Sequence, residues 1–135
     1  MKILFDNNLP PSLARGLAGL STYESDVECV VPLRDKFRAN AKDEEWLPVL
    51  ASEGGWVVVS IDRFNKSAAE RELIRRHGLI VFVLDPQWSK PYWDQAAQLV
   101  KWWPKILKMA RLSSKSAMRV PWQFTNKSTF EQIRL

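Results

Sequence analysis

The segment Trp56-Val57-Val58-Val59-Ser60-Ile61 constrains the fold more than any other stretch of the chain. It is rich in β-branched residues and follows Gly54-Gly55, which predicts a strand over residues 56–61. It lacks the polar alternation of a strand with one wet face, so both of its faces are expected to be covered. Residues 2–5 and 79–84 have the same character; the first run ends at Asp6 and the second is halted by Asp85-Pro86. Residues 27–33 read as a further strand. The intervening segments carry helical signals. Pro10-Pro11 pre-set a helix start, and Leu13, Leu17 and Leu20 recur at helical spacing. After a charged loop over 34–42, Asp43 reads as the N-cap of a helix carrying Trp46, Leu47 and Leu50, with Pro48 distorting its first turn. Ser67 and Glu70 form a capping-box pattern for a helix that runs to Gly78. Pro91 opens a long amphipathic helix to about Leu112, which Pro104 is expected to kink or split. Beyond Ser113 the pattern weakens, and residues 118–124 read as an edge strand because Pro121 fits only an edge. Apolar strands alternating with helices imply an α/β, Rossmann-like three-layer domain with a central, mostly parallel sheet.

The 135 residues suit one domain. Residues 1–112 carry the α/β pattern, and residues 113–135 read as a basic C-terminal extension that forms an edge strand or is partly disordered. Cys29 is the only cysteine, so no internal disulfide is available, and it is expected to be simply packed. His77 is the only histidine, which leaves Ser-His-Asp, Cys-His and His-rich metal chemistry without support. Asp6 interrupts the first apolar run, so no secretory leader is read, and no stretch approaches the roughly 20 apolar residues needed to cross a bilayer. A soluble, cytoplasmic protein with no membrane association is expected.

The net charge of +5 is unevenly placed. From Lys101 onward there are eight basic residues against the single acid Glu131, whereas the first hundred residues carry twelve basic and fourteen acidic groups. A polyanion held by one region and processed by another fits this split, and so does a solvated helix face followed by a loose tail.

Ligands of open parallel sheets bind outside the carboxyl ends of the strands. Asp6, Asp62 and Asp85 each fall where a predicted strand ends, and Asp43 follows the loop after another. A divalent cation would offset the mutual repulsion of such carboxylates, and an all-oxygen ligand set points to magnesium or manganese rather than zinc. The matching chemistry is phosphodiester hydrolysis by metal-activated water, which needs neither histidine nor a cysteine nucleophile. Acids at strand ends also cap helices and begin turns, and spacing alone does not separate the two readings.

Three motifs add to this. Phe5-Asp6-Asn7-Asn8-Leu9-Pro10 resembles the opening motif of PIN-domain proteins, especially the compact group similar to VapC-type toxins. Val31-Pro32-Leu33-Arg34-Asp35-Lys36-Phe37 and Asp43-Glu44-Glu45-Trp46-Leu47 resemble the middle of that group, and Val57-Val58-Val59-Ser60-Ile61-Asp62-Arg63 resembles its late motif. The resemblance runs in order from Met1 to about Leu112. It implies a PIN-like nuclease domain, a metal-dependent endoribonuclease activity on an RNA substrate, Mg2+ or Mn2+ as cofactor, and a cognate antitoxin as partner. Asp6, Asp43 and Asp62 would be the catalytic, metal-binding acids. Asn8 would hold the first loop or contact the metal shell, and Ser60 would orient Asp62. The sequence departs from the pattern in two places. Phe64 stands where many members have a second late acid, and the separate glutamate between the first and middle motifs has only loose counterparts in Glu24, Glu28 and Asp35. The thinner acidic cluster is compatible with weaker metal binding or with an inactive member that binds RNA or protein. A phospho-receiver reading with Asp62 as acceptor is disfavoured, because Asn7 and Asn8 stand where paired acids would follow the first strand.

Other residues are secondary candidates. Glu44 is the better second ligand of the pair Glu44 and Glu45, although acids in a first helical turn are also favoured by the helix dipole. Arg34, Arg63 and Lys66 could grip phosphates near the rim. Of the seven tryptophans, Trp46, Trp56 and Trp93 are expected to pack in or against the core. Trp102 and Trp103, about 100° apart on a helix, are expected to face different ways, with one exposed at a homodimer or antitoxin surface.

Overall fold

A computed structural model describes residues 1–61, 68–125 and 127–134, with backbone alone for 68–70. The elements follow the expected alternation: β1 (Lys2–Phe5), α1 (Pro11–Leu20), β2 (Cys29–Pro32), a 3-10 turn (Leu33–Asp35), α2 (Asp43–Glu53), β3 (Trp56–Ile61), α3 (Ala68–His77), β4 (Ile80–Leu84), a second 3-10 turn (Pro86–Trp88), α4 (Tyr92–Leu112), β5 (Ser116–Val120) and β6 (Glu131–Ile133). The strands form one sheet in the order β2-β1-β3-β4-β5-β6. All neighbouring pairs are parallel except β5–β6.

Strand alternation sorts the core into two layers. Ile3, Phe5, Val57, Val59, Ile61, Phe82, Leu84, Met118 and Val120 face α1 and α4. Leu4, Val58, Val81, Val83 and Ala117 face α2 and α3 through Trp46, Leu47, Leu50 and Ile74. Every side chain of β3 is buried, the polar Ser60 included. The strand is entered through Gly54-Gly55, both at φ 75°, a left-handed backbone that side chains with a Cβ adopt only under strain. The crossovers from β1 to β2, β2 to β3 and β3 to β4 share one hand. The crossover from β4 to β5 steps in the same direction as β3 to β4 but places α4 on the opposite face, so it has the other hand. Parallel crossovers are right-handed in about 98% of cases, which makes the α4 connection the exception.

Several local expectations change. Lys42, not Asp43, is the N-cap of α2; it makes no side-chain cap bond, and Asp43 is the first helical residue. Pro48 lies inside α2 beyond its first turn. Pro104 neither splits nor ends α4, which runs on to Leu112. Its missing N–H leaves the carbonyl of Val100 on the exposed side of the helix, where water can satisfy it. The strand expected at 118–124 as an edge is instead Ser116–Val120 and lies inside the sheet, between β4 and β6; Pro121 follows its end, and β6 is the edge. The capping box of Ser67 and Glu70 lies outside the described residues.

The tryptophans are also rearranged. Trp46 and Trp56 are buried as expected, but Trp93 is 81% exposed and stacks on Tyr92. Trp102 and Trp103 are both buried, because α4 is covered on two sides. Trp103 packs on Phe5, and its Nε1 donates to Ser21 Oγ at 2.9 Å. Trp102 meets Phe124 and Phe130, which belong to the segment after β5. That segment also brings Trp122 against Trp88, with ring centroids 5.0 Å apart.

At its far end α4 is tied to the loop before β2. Arg111 donates to both carboxylate oxygens of Asp26, at 2.6 and 2.8 Å, and to Glu24 at 2.8 Å. The hydrogen bond from Arg111 holds the Asp26 carboxyl below its usual value. A depressed carboxylate stabilises the fold above its unfolded pKa, about 3.9, and loses that contribution as pH falls through the lower folded value. The gap in melting temperature between the parent and Arg111→Met should therefore be present at neutral pH and shrink below about pH 4. A gap that stays constant down to pH 2 would show that the pair adds nothing.

Candidate metal-binding cleft

The order of the strands reverses at β1, which sends the chain first to β2 and then across to β3. In such sheets this is where the loops part and leave a crevice at the carboxyl ends. Asp6 stands one residue past β1, and its N–H still donates to Val59 O of β3 at 2.9 Å, so its backbone is fixed to the sheet. Its Oδ1 accepts from Asn7 N at 2.6 Å. The Asn7 side-chain amide in turn donates to Ala39 O, in the loop that leads to Asp43. Asn7 thus joins the two acidic segments, a role that its position beside Asp6 did not reveal in the sequence.

Asn8 acts on β3. Its Nδ2 donates to Ile61 O at 2.6 Å, and its Oδ1 accepts from Ile61 N at 3.3 Å. The amide replaces a neighbouring strand for one residue and holds the first loop to the end of β3.

Continuing the alternation of β1 and β3, Asp6 and Ser60 fall on the α2 side, with Leu4 and Val58. Asp43 opens α2, and Trp46 follows on the same helical face three residues later. Asp6, Asp43, Trp46 and Ser60 line one small cleft closed below by Val58, Ile74 and Val81, with about 10 Å3 open to the centre of a water-sized sphere. Ser60 is 2% exposed and Trp46 3%, and among the described residues neither Ser60 Oγ nor Trp46 Nε1 has a hydrogen-bond partner. A buried polar group of this kind costs free energy unless it is satisfied.

The other candidates are placed as follows. Asp62 and Arg63 lie outside the described residues, as does Lys66. Glu44 is exposed on the first turn of α2 and does not line the cleft, while Glu45 pairs with Arg38 at 2.8 Å. Arg34 is exposed in the turn after β2. Asp85 accepts from Gln87 N at 2.6 Å and caps the second 3-10 turn. Among the loose counterparts of the missing glutamate, Glu24 pairs with Arg111 and Asp35 with Arg15. Among the described residues no group of three His, Cys, Asp or Glu could hold a metal. Cys29 begins β2 and His77 ends α3, so both sit toward the rim opposite Asp6 and Asp43.

The basic C-terminal residues are mostly not at the acidic rim. The helix α4 returns from the end of β4 to the start of β5, which carries Lys108, Arg111 and Lys115 toward the opposite rim. Arg111 is engaged as described, Lys105 Nζ donates to Ser128 O at 2.8 Å, and Arg119 lies 3.9 Å from Glu131. These groups hold their own chain together.

A family model for a PIN-like domain matches residues 1–86, well over half of the chain. The chain belongs to the PIN-like family. The matched part of this PIN-like domain contains β1 to β4 and all of the cleft-lining residues. PIN domains are generally nucleases and generally use divalent metals. Neither the curated proteins nor the solved structures include a match. Among the described residues no helix is long and apolar enough to cross a membrane.

Proposed function

We propose that this PIN-like domain is a Mg2+- or Mn2+-dependent endoribonuclease, and that it serves as the VapC-like toxin of a type II toxin–antitoxin pair in the cytoplasm. One observation carries the reading. Two carboxylates from separate elements, Asp6 and Asp43, share a cleft at the switch point of the sheet with a buried, unpartnered serine hydroxyl. Oxygen donors of this kind fit magnesium or manganese, and Asp62 would complete the set from the segment that follows Ser60. A bound divalent ion would supply Lewis-acid polarisation of the scissile phosphate and a more acidic water. The protein's share is to hold the carboxylates in place: the backbone of Asp6 is fixed to β3, Asn7 joins its loop to that of Asp43, and Asn8 fixes the end of β3. The exposed Arg34 and Lys42, with Arg63, would meet the RNA backbone at this rim. An antitoxin, or a second copy of the chain, would use exposed apolar groups away from the rim, such as Leu20, Tyr23 and Val100.

Incubating purified protein with a mixed RNA pool tests the activity. Cleavage should require added Mn2+ or Mg2+ and disappear with EDTA, whereas undiminished cleavage in the presence of chelator would exclude the mechanism. A catalytically silent module that binds RNA or a protein partner is the second reading, favoured by Phe64 at the position of the second late acid. It predicts RNA retention without cleavage at any metal concentration.

A further inference from the structure

Trp46 has no role in the chemistry above, yet it lines the same cleft as Asp6 and Asp43 and carries a buried indole N–H. An indole nitrogen only donates, and Ser60 Oγ can donate as well. Both atoms are buried and unpartnered, and both residues line the cleft with Asp6 and Asp43. The open space of about 10 Å3 matches what one water needs, and an ordered water needs two to four polar partners. Here it would have four. It would accept from Trp46 Nε1 and Ser60 Oγ and give its two hydrogens to the carboxylates of Asp6 and Asp43.

We propose that Trp46 is a positioning residue that, with Ser60, holds one ordered water against Asp6 and Asp43 and so sets these carboxylates for a divalent ion. The inference rests on reading the cleft as a metal site. Groups that orient metal ligands without touching the metal commonly change affinity about 10–100-fold when removed. The helix supplies the geometry: three residues separate Trp46 from Asp43, so one face of one turn carries both the carboxylate and the donor.

The test is calorimetric titration of the full chain with Mn2+, comparing the parent with Trp46→Phe, which keeps an aromatic ring and deletes the donor. Trp46→Phe should stay folded without metal and bind Mn2+ about tenfold more weakly than the parent. Ser60→Ala should weaken binding similarly, and the double variant should be little worse than either, because both donors serve one water. Equal Mn2+ affinity in the parent and Trp46→Phe would overturn this inference alone. A parent that binds no Mn2+ would overturn the metal reading and this inference with it. Should Trp46→Phe fail to fold, a crystal structure of the parent carries the test. It should show a water about 2.7–3.2 Å from both Trp46 Nε1 and Ser60 Oγ, and a dry cleft would refute the proposal.

Discussion

Asp43→Asn should fold as well as the parent and lose RNA cleavage by at least about a hundredfold, the scale seen when one preorganised electrostatic group is removed from an active site. Two opposing terms keep the fold intact. Asp43 is one of three acids in the first turn of α2, where a negative charge is favoured by about 0.3–1 kcal/mol. Asp43 also shares the cleft with Asp6. Two unit charges about 4 Å apart repel by roughly 4 kcal/mol at an effective dielectric of 20, and solvent in an open cleft reduces this to a fraction. These two contributions oppose each other, so the change they make together in the metal-free protein is expected to be small. The metal response should differ much more. Mn2+ should raise the parent's melting temperature by mass action on the native state, and the variant should gain little. Asp6→Asn and Asp62→Asn should behave alike. Thermal melts across a manganese titration, with cleavage assayed in parallel, check this; an Asp43→Asn protein that still cleaves RNA at the parental rate removes Asp43 from the mechanism.

A chain ending at Leu112 should not fold cooperatively, although it keeps every residue of the cleft. It would lose Ala117, Met118 and Val120 from the core, and Val120 O, which accepts from Trp88 Nε1 at 3.0 Å. It would also uncover Trp102, which is fully buried beneath Phe124 and Phe130. Truncating one large core side chain costs about 2–5 kcal/mol, and several such losses exceed the roughly 5–15 kcal/mol that stabilises a whole domain. The uncovered side of β4, with its unpaired backbone groups, would favour association between chains. Circular dichroism melts and size-exclusion chromatography of the shortened and full chains decide this. A sharp transition within a few degrees of the parent's would show that the last two strands are dispensable.

The sequence was most legible where local chemistry and burial agree. The strand over 56–61 was readable to the residue, because a β-branched run between a glycine pair and an aspartate leaves no other assignment. The α/β order and the parallel sheet followed from the same signal repeated at β1 and β4. β5 was harder to read. Ser116-Ala117-Met118-Arg119-Val120 is mixed in polarity because its neighbours in the sheet, not its own pattern, cover it. Trp93 and Trp102 show the same limit. Helical spacing gives the angle between two side chains, but which angles are covered depends on a segment twenty or more residues away. Within the site, Asp6 and Asp43 were visible as acids at loop ends. The joining role of Asn7 and the unpartnered pair of Trp46 and Ser60 were not, since a hydrogen bond made or missed across elements leaves no local trace.

The late placement of β5 in the chain has a consequence during synthesis. Every described cleft residue lies within the first 81 positions, so the acidic rim leaves the ribosome early. The sheet that holds it closes only when Ser116–Val120 pairs with β4 and the aromatic segment covers α4. Domains generally fold as units, and pairing distant segments is the slow part of that process. A nascent chain therefore carries its acids for most of its translation without the frame that aligns them, and the cleft takes its final form only when β5 and β6 are in place.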